Sequence, residues 1–187
     1  MRPASEAVSA VQLVKEYANV IVTQTLSKAF GLAAIRLGIA YAQPPLVQIL
    51  NNTKAPYNIS VPTAHLASLA LSEEGMAKMR GNLQTLLKNR ETLVEELKKI
   101  PAVGPIIGSN EANFVLATIL DRPSSEQGAK PDSERAWRVY KTMAEENALV
   151  VRDRSKELGC PGCLRITVGT EEENRRCVRL LRELLSV

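Results

Sequence analysis

Two short apolar runs near the start of the chain constrain its fold most strongly. Residues 19–26 and 36–42 are rich in β-branched and other apolar side chains, and both predict buried strands. Buried strands need partners that cover them. The nearby sequence predicts no further strand to supply that cover. We therefore expect residues 1–55 to be the remnant of a larger sheet domain, and the chain to be the C-terminal part of a longer protein.

The chain after residue 55 mixes helical and strand periods. Apolar residues between positions 76 and 100 recur at a spacing near 3.6, which predicts a long amphipathic helix. Further helices are predicted over 46–50, 62–71, 133–147 and from Thr170, and strands over 113–119, 148–152 and 164–168. Pro101, Gly104 and Pro105 are expected to end the long helix. The fold class predicted for the whole chain is therefore α/β, with residues 56–187 forming a small α+β domain.

Composition narrows the classes of function. Hydrophobic residues make up 45% of the 187, a globular value, and no apolar run reaches the ~18 residues of a membrane helix. The start of the chain lacks the apolar run of a secretory signal, and three cysteines are too few for a disulfide framework. An aromatic content of 4% leaves little for base stacking. We expect a cytoplasmic protein that binds neither nucleic acid nor membrane, with its C-terminal arginines on a solvated helix face.

The stretch that follows the first predicted strand carries the most chemistry. Lys28 lies among small residues, and partial desolvation would lower its pKa and make its amine nucleophilic, as a Schiff base with a carbonyl cofactor requires. The hydroxyls of Thr25 and Ser27 and the fork of Arg36 suit a phosphate, and Gly31 allows close backbone approach. A Ser-Lys pair alone is a weak signal, whereas hydroxyl, lysine, glycine and arginine together are much more specific.

This pattern resembles the pyridoxal-phosphate lysine motif of the fold-type I aminotransferases. The resemblance extends over nearly the whole chain and is strongest to the histidinol-phosphate aminotransferase family. Four further segments carry it: residues 54–60, 111–114, 150–153 and 162–174. The resemblance implies the C-terminal part of a fold-type I transferase, with residues 1–55 from the cofactor-binding large domain and 56–187 as the small domain. It also implies pyridoxal 5′-phosphate as cofactor and a homodimer as the complete enzyme.

The resemblance also assigns roles to the cofactor-side residues. Lys28 matches the catalytic lysine that bonds to the cofactor and then moves the substrate proton. Thr25, Ser27 and Arg36 match contacts to the cofactor phosphate.

Two arginines match the family's substrate contacts. Arg165 matches the arginine that binds the α-carboxylate of the amino donor, and Arg152 matches the second member of that pair. A planar guanidinium suits both a carboxylate and a phosphate. The implied reaction moves an amino group between glutamate and imidazole-acetol phosphate in histidine biosynthesis.

In this family, several parts of the active site lie upstream of the segment that the start of this chain resembles. They include the Gly-rich turn under the phosphate and the aspartate that pairs with the pyridinium nitrogen, which keeps the ring an electron sink. Besides an active histidinol-phosphate transaminase, two alternatives therefore stay open: a catalytically inactive remnant or gene-model fragment, and another fold-type I aminotransferase.

Because unpaired strand edges promote aggregation, we also expect poor solubility or self-association of the chain.

The remaining candidate groups favour structural roles. Cys160 and Cys163 form a C-x-x-C, but zinc would need two more ligands at matched spacing, and Cys177 and His65 are not such a pair. A thioredoxin-like role would need the motif at a helix start, whereas a strand is predicted to follow. We interpret the motif as a turn and expect no metal site. We interpret His65 as a structural residue, and we interpret Trp137 and Tyr140, which are three positions apart, as packing residues on one helix.

Overall fold

The computed structural model describes residues 8–108 and 111–186. The first seven residues of the predicted large-domain remnant, and the last residue of the predicted small domain, lie outside the described residues. The described chain falls into two compact units, one up to Leu83 and one from Gln84 onward. This division by contacts does not test the boundary placed after residue 55, which stays a prediction.

The first unit combines one small sheet with short helices. Strand β1 pairs antiparallel with β2, and Thr25 lies opposite Gly38 at one end of the ladder. The elements in chain order are a 3-10 turn Ala10–Gln12, α1 Leu13–Glu16, β1 Val22–Thr25, a 3-10 turn Ala33–Ile35, β2 Gly38–Tyr41, α2 Pro44–Thr53, α3 Val61–Ala70 and the start of α4 Glu73–Lys98. Both predicted strands and all three predicted helices are therefore present, with shifted ends.

The two strands of this unit are not buried, which corrects the sequence-based expectation. Three of the four residues in β1 and three of the four in β2 are exposed. The physical reason is that, among the described residues, the sheet consists of these two strands alone. Leu26, directly after β1, is the exception and is 3% exposed.

Polar contacts tie the helices of the first unit to the strand pair. The Ser60 side chain caps α3 by accepting a hydrogen bond from Thr63 N at 3.2 Å. Thr63 Oγ1 donates to Ile35 O, 3.3 Å away, in the segment that joins β1 to β2. Gln43 Nε2 similarly donates to Val14 O at 2.7 Å. Helix α3 therefore holds the loop between β1 and β2 in place.

The second unit is a four-stranded antiparallel sheet with helices. The strand order is β3-β4-β6-β5. The elements are the rest of α4, then β3 Val103–Ile107, β4 Phe114–Ile119, α5 Ser133–Glu145, β5 Arg152–Asp153, β6 Cys163–Thr167 and α6 Glu171–Leu185. The core of this unit includes large side chains that are each at most 2% exposed: Leu93, Leu97, Ile119, Met143, Leu164, Ile166 and Leu181. None of the described helices has the length and apolar character needed to cross a bilayer.

Two strand predictions in this unit were wrong. Strand β3 was missed because Gly104 and Pro105 suggested only a helix end, but proline is tolerated at a sheet edge, and the register shifts between Val103 and Ile106. The strand predicted over 148–152 is reduced to β5. Leu149 lies beyond α5, but its N donates to Met143 O in the last turn of that helix at 2.9 Å. Its backbone N–H is therefore used by the end of α5 and not by a strand.

Candidate functional site

The loop after β1 presents Lys28 at a tight turn. Leu32 N donates to Leu26 O at 3.1 Å, which closes the loop across its base. Gly31 N donates to Lys28 O at 3.1 Å, which closes a β-turn. Gly31 has a φ of 68°, a conformation that favours glycine. The backbone therefore fixes the position of Lys28 relative to the end of the strand.

Two hydroxyl groups meet at the same end of the sheet. Thr25 Oγ1 lies 2.8 Å from Ser27 Oγ and accepts a hydrogen bond from Ser27 N at 3.1 Å. Thr25 Oγ1 is also within 3.4 Å of Leu37 O. These contacts place the two hydroxyl groups side by side.

Arg36 lies at the same end of the strand pair in a strained conformation. It ends the 3-10 turn with a φ of 51°, and its Nη1 donates to Ala33 O at 3.0 Å. A left-handed conformation costs a non-glycine residue roughly 1–3 kcal/mol, and such residues cluster at functional sites. Arg36 is two residues before Gly38, the partner of Thr25. Arg36 therefore lies at the same end of the strand pair as Thr25, while its guanidinium is bound to the backbone of its own loop.

The expectation that Lys28 is partly desolvated was wrong for this chain. Its side chain is exposed, because it lies at the outside of the turn and its neighbours are small. The chemistry of the donor set still fits a phosphorylated carbonyl compound. Thr25, Ser27 and Arg36 offer donors to a phosphate, and Lys28 offers an amine to a carbonyl.

The two predicted substrate arginines lie directly opposite each other in the second unit. Arg152 on β5 pairs with Arg165 on β6. Residues opposite each other in an antiparallel pair share a face, with Cβ atoms roughly 4.5–5.5 Å apart, and like charges there repel. The Arg165 guanidinium also lies over the ring of Phe114 at 5.3 Å from its centroid. The pairing concentrates two positive charges at one edge of the sheet, a geometry suited to an anion.

One nitrogen of Arg165 has no partner. Its Nε is buried and makes no hydrogen bond. A buried donor without an acceptor costs roughly 1–3 kcal/mol. An oxyanion bound between the two arginines would supply both the missing acceptor and the missing negative charge. Arg152, by contrast, is exposed.

The other candidate groups lie outside the two sets of residues described above. Cys160 to Cys163 is a turn, as predicted, and both cysteines are free. His65 is exposed on α3. Trp137 is 45% exposed, and Lys141 Nζ lies 5.3 Å from the centroid of its ring. Within residues 8–108 and 111–186, no group of three or more acidic, histidine or cysteine side chains could hold a metal ion.

Two features of the site have no signal in the local sequence pattern. The contact between Phe114 and Arg165 follows from the strand register, whereas the sequence identifies 111–114 only as a segment that resembles the family and leads into a strand. The left-handed conformation of Arg36 has no local sequence signal, because the residue is not a glycine.

Comparisons with known proteins find a matching family, similar sequences and similar folds. The family described as aminotransferase class I and II matches residues 1–181. A histidinol-phosphate aminotransferase of Schizosaccharomyces pombe is 46% identical over 177 residues, which is 95% of this chain and 45% of that protein. A decarboxylase from Sulfurospirillum multivorans has a TM-score of 0.79 at 27% identity, covering 99% of this chain and 44% of its own. A histidinol-phosphate aminotransferase from Sinorhizobium meliloti, solved with pyridoxal-5′-phosphate, has a TM-score of 0.79 at 18% identity, covering 97% and 45%. The chain thus spans less than half the length of these relatives.

Proposed function

The chain belongs to the aminotransferase class I and II family, and we propose that it carries the lysine and the substrate arginines of a histidinol-phosphate transaminase. The reaction transfers an amino group between glutamate and imidazole-acetol phosphate. The observation that carries the proposal is the cross-strand pair Arg152 and Arg165, with the buried Arg165 Nε lacking an acceptor. The 46% identity to the yeast relative supports the choice of substrate.

Pyridoxal 5′-phosphate is the proposed cofactor and, when bound, supplies the electron sink that acidifies the substrate Cα–H bond. Thr25 and Ser27 would donate hydroxyl hydrogen bonds to its phosphate, and Arg36 would add a charged donor. Lys28 would anchor the cofactor through its amine. The Lys28 Nζ would also hold and move the proton of the substrate Cα.

The arginine pair would bind the two substrates in turn. Glutamate presents carboxylates and the histidinol-phosphate substrate presents a phosphate, and the planar guanidinium of Arg165 suits either group. Phe114 stacks on Arg165 and would orient it. Arg152 would add the second positive charge that the phosphate dianion needs.

The complete enzyme is proposed to be a cytoplasmic homodimer with its site at the subunit interface. Large exposed apolar side chains in the first unit support an association surface, with Tyr57 fully exposed and Val61 84% exposed. The residues proposed here would then be one part of a site completed by other segments of the family's fold.

The proposal is tested by the half-reaction with glutamate. The purified chain is incubated with pyridoxal 5′-phosphate and L-glutamate, and released 2-oxoglutarate is measured against the cofactor alone. We expect release that falls at least tenfold in Lys28→Arg, while Lys54→Arg, an exposed lysine outside the motif, is unchanged. Equal release by the wild type and Lys28→Arg would contradict the proposal.

A second candidate is a chain that binds the cofactor without turning over. The observation that favours it is the coverage of 45% of the yeast relative. Cofactor bound at Lys28 with 2-oxoglutarate no higher than the cofactor-alone control would select this alternative.

A further inference from the structure

The turn before β6 holds two cysteines in a geometry suited to a disulfide. Cys163 N donates to Cys160 O at 3.1 Å, which closes a four-residue β-turn. Pro161 follows Cys160, and Gly162 has a φ of 68°, as position three of a type II turn requires. The ends of a β-turn have Cα atoms less than about 7 Å apart, and disulfides span about 4.4–6.8 Å between Cα atoms. The backbone therefore needs little movement to bridge Cys160 and Cys163.

The side chains are also neighbours. Burial raises the pKa of the Cys163 thiol, and the neighbouring Cys160 thiol adds to that rise. Cys163 Sγ lies 3.6 Å from Thr118 Oγ1 on the adjacent strand. Cys160 is partly exposed, whereas Cys163 is buried. One thiol is thus open to a reagent, and the other is positioned behind it.

The surrounding contacts hold this turn in place. Gly162 O accepts a hydrogen bond from Ile119 N at 2.8 Å, and Gly162 N donates to Ser133 Oγ at 3.0 Å. A side chain at Gly162 would come within 2.7 Å of Ile119 O. A turn fixed on both sides keeps its two thiols together, which raises their effective concentration for an intramolecular reaction.

We propose that Cys160 and Cys163 form a reversible dithiol–disulfide modification site that reacts with low-molecular-weight disulfides such as oxidised glutathione. The Cys160 thiolate attacks one sulfur of the small disulfide, its S–S bond breaks, and one small thiol leaves. The Cys163 thiolate then attacks Cys160 Sγ and releases the second small thiol. The two protein thiols lose two protons and two electrons, and the small disulfide is reduced to two thiols.

The third cysteine provides an internal comparison. Cys177 lies on α6, is buried, and burial raises the pKa of its thiol to about 12. Burial also raises the pKa of Cys163, but the turn places Cys163 next to Cys160. Cys177 is not part of that turn, so it is expected to stay a thiol while Cys160 and Cys163 react.

The experiment treats the folded chain with oxidised glutathione, removes the glutathione, unfolds the chain in denaturant, blocks the remaining thiols with N-ethylmaleimide and maps the cysteines by mass spectrometry. The wild type is expected to lose two hydrogens in a Cys160–Cys163 bridge, to carry one blocked thiol at Cys177, and to regain both thiols with a reductant. Cys177→Ser should form the same bridge. Cys163→Ser should stop with glutathione on Cys160, and Cys160→Ser should remain unreacted.

Wild-type chain that keeps glutathione on Cys160 without forming the bridge would overturn the proposal, as would a bridge that includes Cys177. Since Cys163 is buried, its serine variant is checked for folding by circular dichroism. Cys160→Ser, at a partly exposed position, keeps the test decisive if that variant unfolds: thiol loss in Cys160→Ser equal to that of the wild type would also overturn the proposal.

Discussion

Single backbone positions carry strong conformational demands in the segment that leads into Arg165. Gly162 and Gly159 both have positive φ, 68° and 76°. A Cβ at Gly162 would lie 2.7 Å from Ile119 O and 2.9 Å from Asp132 N, whereas a Cβ at Gly159 would meet nothing within 4 Å. Comparing a substitution at Gly159 with the same substitution at Gly162 therefore separates the cost of a positive φ from the cost of a steric clash.

We expect Gly162→Ala to lower the free energy of unfolding by about 3 kcal/mol and Gly159→Ala by about 1 kcal/mol. The larger loss arises because the alanine methyl meets backbone atoms that cannot rotate away. Urea denaturation followed by the fluorescence of Trp137, the single tryptophan, measures both. Equal losses in the two variants would contradict the steric account.

The arginine pair gives a second prediction at this scale. Phosphate should raise the melting temperature of the wild type above that in chloride at equal ionic strength, because it binds the folded state. Arg165→Met should abolish this rise and change stability without phosphate by less than about 1 kcal/mol, since it removes a buried donor that has no partner.

Arg138→Met is the control, since Arg138 is exposed on α5 and is paired with Glu134. It should keep the phosphate effect. The account of Arg165 fails if Arg165→Met responds to phosphate as the wild type does.

The sequence predicted which residues of the loop after β1 lie together better than it predicted their exposure and backbone conformation. Thr25, Ser27 and Lys28 are close in sequence, so a local motif places them together. The exposure of Lys28 and the left-handed conformation of Arg36 depend on how the whole loop folds, and no local pattern specifies them. Phe114 contacts Arg165 through strand register, which single residues do not encode.

At the scale of elements, α6 begins with a capping box that the sequence predicted and the structure confirms. Glu173 Oε2 accepts from Thr170 N at 2.7 Å and from Thr170 Oγ1 at 2.9 Å. These hydrogen bonds, led by the backbone one, hold the pKa of Glu173 below its ordinary value of 4.5. A lowered folded-state pKa means that the carboxylate stabilises the fold above the unfolded pKa, and that this contribution is lost as pH falls through the folded pKa.

We expect Thr170→Ala to cost about 1 kcal/mol at neutral pH. Glu173→Gln should cost about 0.5 kcal/mol there, and its difference from the wild type should vanish once the pH is below the folded pKa of Glu173. Urea denaturation at a series of pH values measures both. Glu172→Gln, which removes a charge from the same turn, is the control, and an equal pH-dependent loss in that variant would show that the helix dipole, not the capping box, is responsible.

Elements with clear capping or periodicity were predictable, whereas the irregular strand β3 and the two-residue strand β5 were not. Helix α6 has Thr and Glu at the required spacing, and α4 has a long leucine period. Strand β3 carries a glycine, a proline and a register shift, each of which suggests a break when read locally. The two residues of β5 become a strand only because β6 lies beside them.

At the scale of the whole molecule, the first unit leaves apolar surface exposed. Val61, Leu69 and Ile49 are 84%, 53% and 58% exposed. Soluble monomers rarely expose large contiguous apolar patches. The two strands of this unit also have no further strand beside them within the described chain, as the sequence led us to expect.

We therefore expect concentration-dependent self-association in velocity sedimentation, reduced when Val61 and Leu69 are both changed to lysine. Val150→Lys alters a residue of the second unit that is 63% exposed and should leave the association unchanged. A single monomeric species of the wild type at high concentration would contradict this prediction.

If Lys28 is the cofactor lysine of an aminotransferase, pyridoxal 5′-phosphate should bond to it in this chain. The chain is incubated with pyridoxal 5′-phosphate, reduced with borohydride and digested, and the pyridoxyl-modified peptide is identified by mass spectrometry. We predict one pyridoxyl group per chain on Lys28, unchanged in Lys54→Arg and lost in Lys28→Arg. Labelling that is absent, or scattered over several lysines, would contradict the claim.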